Sequence, residues 1–357
     1  MAETVRIAVI PGDGIGQEVI PEAIHLLRAI AERRGLALEL WPLDLGADRY
    51  LRDGTTLPTK TFEELRDTCQ AILVGALGDP RVPSNEHARD ILFGFRFGLD
   101  LYANIRPVRC LADRLSPLKA HGADAIDLVV FRENTEGLYV GVGGQVRRGT
   151  PDEIAINEDI NTRKGVERIL RAAFDHAVAH GKKRVHMADK SNAMRHAHEL
   201  WLRAFREVAR EYPTVEPVHV YVDALCLYMV QDPRSIEVVV TCNLFGDIIT
   251  DLGAALQGGL GMAASMNVHP GRRPALFEPV HGSAPNIAGQ DLANPFASAL
   301  TVGMLLGWLG HQDLEGIVER CVRDCVLAGE CTRDVGGALG TRAAAEALRG
   351  RVLRALG

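Results

Sequence analysis

Short apolar runs alternate with amphipathic stretches along most of the chain, and this alternation predicts an α/β protein with a largely parallel sheet. Three observations carry the prediction. Val5 to Ile10 reads as a strand that turns through Pro11-Gly12-Asp13-Gly14-Ile15-Gly16 into a helix. Ala71 to Gly75 is an unbroken apolar run that suits a buried strand. Leu128 to Phe131, Arg184 to Met187, Val218 to Tyr221 and Val238 to Thr241 repeat that pattern between long helices at about 161–180 and 192–211.

Taken in order, the first helix runs from about Gln17 to Arg34. Ile20, Ile24, Leu27 and Ala31 give it one apolar face, and Gly35 is placed to end it. A strand follows around Leu36 to Trp41, then a helix near Lys60 to Asp67 and the buried strand at 71–75. Gly141 to Asn157 is rich in glycine, with Val146, Ile154 and Ile156 alternating, and reads as an extended arm. Beyond Gly258-Gly259 a helical tail is expected. No repeat, low-complexity linker or charge run marks a domain boundary, which suggests lobes that share strands.

The chain has 357 residues, 47% of them hydrophobic, and a net charge of −6, enough for two core-bearing lobes and a poor match to nucleic acid or an anionic membrane. Met1 to Ile10 carries an acid and no long apolar core, so it reads as a strand and not a signal peptide. Leu300 to Leu309 is about half of the ~20 residues that a membrane span needs. Seven cysteines with no CxxC pair read as reduced thiols of a cytoplasmic protein.

Eight polar residues in the middle of the chain suggest chemistry. Asp247 and Asp251 follow the apolar run Ile236 to Val240 and share one face near the start of a helix. With a third acid they suit a hard cation such as Mg²⁺ or Mn²⁺. Arg96, Arg106 and Arg132 can clamp a small polycarboxylate through their planar donor forks. Adding Lys190, Tyr139 and Asp223 suggests oxidation of a hydroxy acid followed by loss of CO₂. Bland alternatives exist for each residue. Acids near a helix start stabilise its dipole, Asp223 could cap the end of a strand, and Lys190 could be a solvated surface lysine.

Two loops suit a nucleotide. Gly12-x-Gly14-x-Gly16 departs from the GxGxxG fingerprint, so a tight turn that needs small residues explains it as well as cofactor contact does. The stretch Phe277-Glu278-Pro279-Val280-His281-Gly282-Ser283-Ala284-Pro285-Asn286-Ile287-Ala288-Gly289, followed by Asn294-Pro295, has the density of small and polar groups that can stack on adenine and bind a ribose. An ordinary surface loop is its alternative.

These segments, together with Leu101-YANIRPV-Arg109, Phe131-RENTEGLYVG, Asp189-KSN and Thr332-Arg-Asp-Val-Gly336-Gly337, resemble the metal-dependent β-decarboxylating dehydrogenases. That family includes the 3-isopropylmalate, isocitrate, homoisocitrate and tartrate/D-malate enzymes, and the chain looks closest to isopropylmalate-like members. The resemblance implies a two-lobed α/β fold unlike the standard Rossmann fold, with a shared sheet and a dimer-clasping arm at about 141–157. A cofactor-binding domain would comprise 1–101 and 258–357, and a substrate, metal and dimerisation domain 102–257. It further implies that Arg96, Arg106 and Arg132 grip the malate carboxylates. Asp247 and Asp251, with Asp223 lent across a homodimer, would hold Mg²⁺ or Mn²⁺. Lys190, also lent by the partner subunit, would act at the hydroxyl and Tyr139 would protonate the carbon that loses CO₂. Glu278, His281, Gly282, Ser283, Ala284, Asn286, Ile287 and Asn294 would bind the cofactor.

NAD is expected over NADP, although Asn286 stands where NAD-using relatives carry an aspartate and would not repel a 2′-phosphate. Arg89, Leu92 and Phe93, on the helix before Arg96, would choose the 3-substituent. The apolar Ile91-Leu92-Phe93 stripe favours isopropylmalate. Arg89 keeps open an anionic substituent, as in homoisocitrate or a phosphonomethylmalate. Tartrate or D-malate and then isocitrate come next. A non-catalytic regulatory subunit is the reading from another class, and the complete acid, Lys and Tyr set argues against it.

Overall fold

The computed structural model describes residues 4–357, so Met1 to Glu3 of the N-terminal stretch lie outside the described residues. The chain forms two compact units. The first takes Met1–Leu101, Arg109–Asp124 and Ala254–Gly357, and the second takes Tyr102–Val108 and Ala125–Gly253.

The first unit opens with β1 (Val5–Gly12), α1 (Gly16–Arg34), β2 (Leu38–Pro42), α2 (Ala47–Asp53), α3 (Thr59–Thr68), β3 (Ala71–Ala76) and α4 (Glu86–Gly98). Strand β1 lies parallel to both β2 and β3, with Ile7 opposite Ala71. All six residues of β3 are buried, as its unbroken apolar run requires. Helix α1 buries Val19, Ile20, Ala23, Leu26, Leu27 and Ile30, a stripe of helical period. Gly35 ends it in the left-handed region at φ 64°, the backbone conformation that glycine adopts without strain.

The second unit comprises β4 (Ala103–Arg109), β5 (Asp127–Glu133), β6 (Gly143–Val146), β7 (Ile154–Asn157), α5 (Arg163–Ala179), β8 (Arg184–Asp189), α6 (Arg195–Ala209), β9 (Glu216–Tyr221), α7 (Val222–Gln231), β10 (Val238–Thr241) and α8 (Asn243–Leu256). Its strands run β4-β5-β10-β8-β9. The pairs β5/β10, β10/β8 and β8/β9 are all parallel. The expected arm is a two-stranded antiparallel hairpin of β6 and β7, exposed along its length.

The chain then returns with β11 (Ala264–Val268), β12 (Ala275–Pro279), α9 (Phe296–Trp308), α10 (Gln312–Ala328) and α11 (Thr341–Ala355). This corrects the expectation of a purely helical tail. Strand β12 pairs parallel with β3 and antiparallel with β11. Ala275 to Phe277 is too short a run to show a period, and prolines at 274 and 279 frame it like a loop. Helix α9 buries nearly every residue, which accounts for the apolar Leu300–Leu309 stretch. Among the described residues no helix is long and apolar enough to cross a membrane.

Candidate active site

In the second unit, β4 and β5 present Arg106 and Arg132, both buried. Arg106 Nε donates to Asn104 Oδ1 at 2.7 Å and its Nη1 to Thr250 Oγ1 at 2.7 Å. Arg132 Nε donates to Asn243 Oδ1 at 3.0 Å and its Nη1 to Asp247 Oδ1 at 2.5 Å. A Cβ at Gly246 would stand 2.5 Å from Arg132 Cγ, so the glycine of NLFGD is what lets this side chain pass along α8. Tyr139 donates from its hydroxyl to Asp247 Oδ2 at 2.7 Å, and the Arg132 guanidinium lies 5.3 Å over its ring. Arg106 Nη2 stands 3.7 Å from the same carboxylate. Four of the singled-out residues therefore meet at one point, with Asp247 at its centre.

Asp251 is exposed one turn further along α8. The helix begins at Asn243 and has no acid in its first turn, so the dipole alternative for Asp247 and Asp251 falls away. Lys190, one residue past β8, places Nζ 2.6 Å from Asp223 Oδ1. That hydrogen bond holds the Asp223 carboxyl below its usual range. Asp223 does not end a strand as expected. Strand β9 stops at Tyr221, and Asp223 lies in the first turn of α7. Among the described residues no three His, Cys, Asp or Glu side chains converge as a metal-binding group, so Asp223 does not join Asp247 and Asp251 within one chain.

In the first unit the glycine turn is built for packing. Gly12 has φ +76° and an added Cβ would lie 2.0 Å from the Ala76 carbonyl oxygen. At Gly14, φ +51°, a Cβ would lie 2.1 Å from the Ser283 oxygen, which accepts from Ile15 N–H at 2.9 Å. The turn thus seats the 281–289 loop. Glu18 on α1 holds that loop from the other end, accepting from the Gly289 and Asp291 N–H groups at 2.6 and 3.2 Å.

Gly282 and Ser283 line a cavity of about 390 Å³ together with residues of the 77–85 segment. Nothing lies within 4 Å of a Cβ built on Gly282. His281 is buried, its Nε2 has no hydrogen-bond partner, and burial holds its pKa below the ordinary value. Ala284 and Ile287 close a turn through Ile287 N–H to the Ala284 oxygen at 3.1 Å, with Asn286 exposed on it. Asn294 is engaged otherwise. Its Oδ1 accepts from Phe296 N–H and its amide donates to Asp334, both at 2.9 Å. Glu278 is paired with Arg96 at 3.1 Å and accepts from Asn267 at 2.9 Å, so the two residues read as cofactor and substrate groups form one buried ion pair.

On α4 the apolar stripe divides. Ile91 and Phe95 are fully buried in the core with Leu45, Leu65 and Leu101, while Leu92 and Phe93 remain half-buried. Arg89 is 63% exposed and stands 3.4 Å from Asp90.

Three buried polar groups could not be picked out from the sequence. Asp13 is buried and accepts from Ala47 N–H, Gly78 N–H and His87 at 2.7, 2.8 and 2.9 Å. Glu133 accepts from the N–H groups of Thr135 and Glu136, and burial raises its pKa to about 7. His198 accepts from Lys190 N–H. Each lay inside or beside a recognised motif, yet nothing in one sequence marks an acid or imidazole as buried.

The chain matches the family described as isocitrate/isopropylmalate dehydrogenase over residues 6–348. It is 48% identical over 324 residues to the 3-isopropylmalate dehydrogenase of Thermobifida fusca, covering 90% of this chain and 91% of that one. It is 46% identical to the 3-isopropylmalate dehydrogenase of Frankia casuarinae, covering 95% and 99%. A crystal structure of isocitrate dehydrogenase from Methylococcus capsulatus superposes with a TM-score of 0.88 at 36% identity, over 98% of this chain and 99% of that one. Fold and relatives define an enzyme of the oxidatively decarboxylating dehydrogenase class. Within that class, the chain belongs to the isocitrate/isopropylmalate dehydrogenase family.

Proposed function

We propose that the enzyme oxidises and decarboxylates a 3-substituted (2R)-malate with NAD and a divalent cation, and that 3-isopropylmalate is the substrate. The convergence of Arg106, Arg132 and Tyr139 on Asp247 carries this reading. It gathers carboxylate-binding cations, a proton donor and a metal-type ligand in a chain whose relatives named 3-isopropylmalate dehydrogenase align over nearly their whole length. Leu92 and Phe93, half-buried and outside the core set, are the apolar surface offered to an alkyl substituent.

The donor set fits the expected groups. Asp247 and Asp251 offer hard oxygens four apart on α8, suited to Mg²⁺ or Mn²⁺, with the partner subunit's Asp223 as the third acid. The unpartnered His281 Nε2, the open space over Gly282 and the adjoining cavity fit a nucleotide. When bound, the cation supplies charge neutralisation at the C2 hydroxyl and at the oxygen that gains charge as CO₂ leaves, and NAD supplies the hydride acceptor.

The chain's own residues do the rest. Arg96, Arg106 and Arg132 hold carboxylates. The partner subunit's Lys190 takes the hydroxyl proton, and Tyr139 returns a proton to the carbon that has lost CO₂. A homodimer is part of the proposal, supported by exposed Leu227, Tyr228 and Val230 on α7 and Ile248 on α8. Seven free cysteines support a reducing, cytoplasmic setting.

A second reading, an anionic 3-substituent, draws on the exposed Arg89 and on the solved isocitrate dehydrogenase. The deciding experiment follows NADH formation by the purified enzyme with Mg²⁺ or Mn²⁺. The substrates are 3-isopropylmalate, homoisocitrate, isocitrate, D-malate, tartrate and 3-(phosphonomethyl)malate. Preference for isopropylmalate supports the first reading, preference for a charged substituent supports the second, and no turnover with any substrate overturns both.

A further inference from the structure

Lys190 opens the five-residue turn between β8 and α6, a setting that by itself would leave the direction of its side chain loosely defined. The turn is closed by Ala193 and Met194 N–H groups, which both donate to the Lys190 carbonyl oxygen, at 2.9 and 2.8 Å. The Lys190 N–H, which has no strand or helix partner, donates to His198 Nδ1 at 2.8 Å. His198 sits in the first turn of α6 and reaches back over the turn, only 1% exposed. Its ring is wedged edge-on against Phe245 of α8, centroids 5.2 Å apart. On the far side, Nε2 faces Asp159 Oδ2 at 3.6 Å, just beyond hydrogen-bond length.

A backbone N–H can only donate, so Nδ1 carries no proton and the ring proton sits on Nε2, toward Asp159. The residue before Lys190 is pinned as well. Asp189 Oδ1 accepts from Ser191 N–H at 3.1 Å and from His219 Nε2 at 2.9 Å. Of these contacts only the one from His198 falls on the Lys190 N–H itself.

We propose that His198 is a positioning residue for Lys190. By satisfying this N–H in one geometry, it fixes the Lys190 backbone and so the vector along which Nζ leaves the turn toward Asp223. The inference rests on the reading of Lys190 as the group that acts on the substrate hydroxyl. A histidine that merely filled space would matter for stability and leave the lysine's aim unchanged.

Asparagine, leucine and glutamine at position 198 separate the two roles. Asn places its amide oxygen near the position of Nδ1, Leu keeps apolar bulk without an acceptor, and Gln carries its acceptor out toward the position of Nε2. The full enzyme is assayed for kcat and KM, and exchange of the Lys190 amide hydrogen is followed by mass spectrometry. His198→Leu and His198→Gln are expected to lower kcat by about 10- to 100-fold, the scale of a misplaced catalytic group, with KM within about threefold of wild type. Lys190 amide exchange should speed up in both. His198→Asn should keep at least about a third of kcat and slow exchange, because it restores the acceptor.

Equal loss in all three variants, or a drop in Tm with kcat and exchange unchanged, overturns the proposal. If the Leu variant does not fold, the Asn and Gln pair decides it. Lys190→Met assayed in parallel separates the two levels. If that variant keeps wild-type turnover, the reading of Lys190 fails. If it is inactive while the Gln variant is wild-type, only the role of His198 fails.

Discussion

Asp247 draws two guanidiniums and a phenol hydroxyl onto one half-exposed carboxylate. If it is a metal ligand, Asp247→Asn should raise the Mn²⁺ concentration for half-maximal rate by at least about tenfold. A metal titration of initial rates with an unchanged midpoint would remove it from the ligand set. Glu133, next in sequence to Arg132, makes a prediction about pH. Burial lifts its pKa to about 7, above the ordinary 4.5, so folding favours its protonated form. Its contribution to stability is complete below about pH 4.5 and is lost as pH rises through about 7. Glu133→Gln should remove that loss. Relative to wild type, the variant should gain on the order of 1–3 kcal/mol between pH 5 and pH 8, measured by urea unfolding at both values. An identical pH dependence in the two proteins would contradict it. Arg106, Arg132, Tyr139 and Asp247 were all legible in the sequence because charge clustered in recognisable segments. Glu133 and His198 were not, because their weight comes from exclusion of water, which one sequence does not display.

Helix α4 carries an apolar stripe that was legible as a stripe, but the sequence left open whether it belonged to core or pocket. Ile91 and Phe95 lie in the core, Leu92 and Phe93 are half-buried, and a pocket role for the latter two is part of the proposal. Ile91→Ala should cost about 2–4 kcal/mol of unfolding free energy through the cavity left in the core. Leu92→Ser should cost less than about 1 kcal/mol, since the side chain is only half-buried, while lowering kcat/KM for 3-isopropylmalate by roughly tenfold. Denaturant melts and steady-state rates on the two variants test the division, and a reversal of the two effects would refute it. The glycine turn was similarly ambiguous, and geometry resolves its structural part. The backbone at Gly12 and Gly14 is left-handed, and the space a side chain would need is filled by the carbonyl oxygens of Ala76 and Ser283.

For the whole molecule, the sequence announced an α/β class but no boundary, since each passage between units occurs inside or beside a regular element and not in a linker. The residues of α7 and α8 that stay apolar and exposed lead to a prediction at this scale. Leu227→Glu combined with Ile248→Glu should convert a dimer to monomers in sedimentation or light scattering and abolish turnover. Monomeric wild type, or a double variant that stays dimeric, would count against a shared site.

The chain order of the first unit also bears on how the protein is made. Its strands β1 to β3 are made before the second unit, yet β12, the partner of β3, and α11, which packs on α1, are made after it. About 140 residues of the second unit are translated in between, a delay of roughly seven to thirty seconds at usual elongation rates. The second unit can therefore finish folding on the nascent chain while the N-terminal segment still shows the unpaired side of β3. That interval, in which an unpaired strand edge is exposed to other chains, closes only once β12 and α11 have been made.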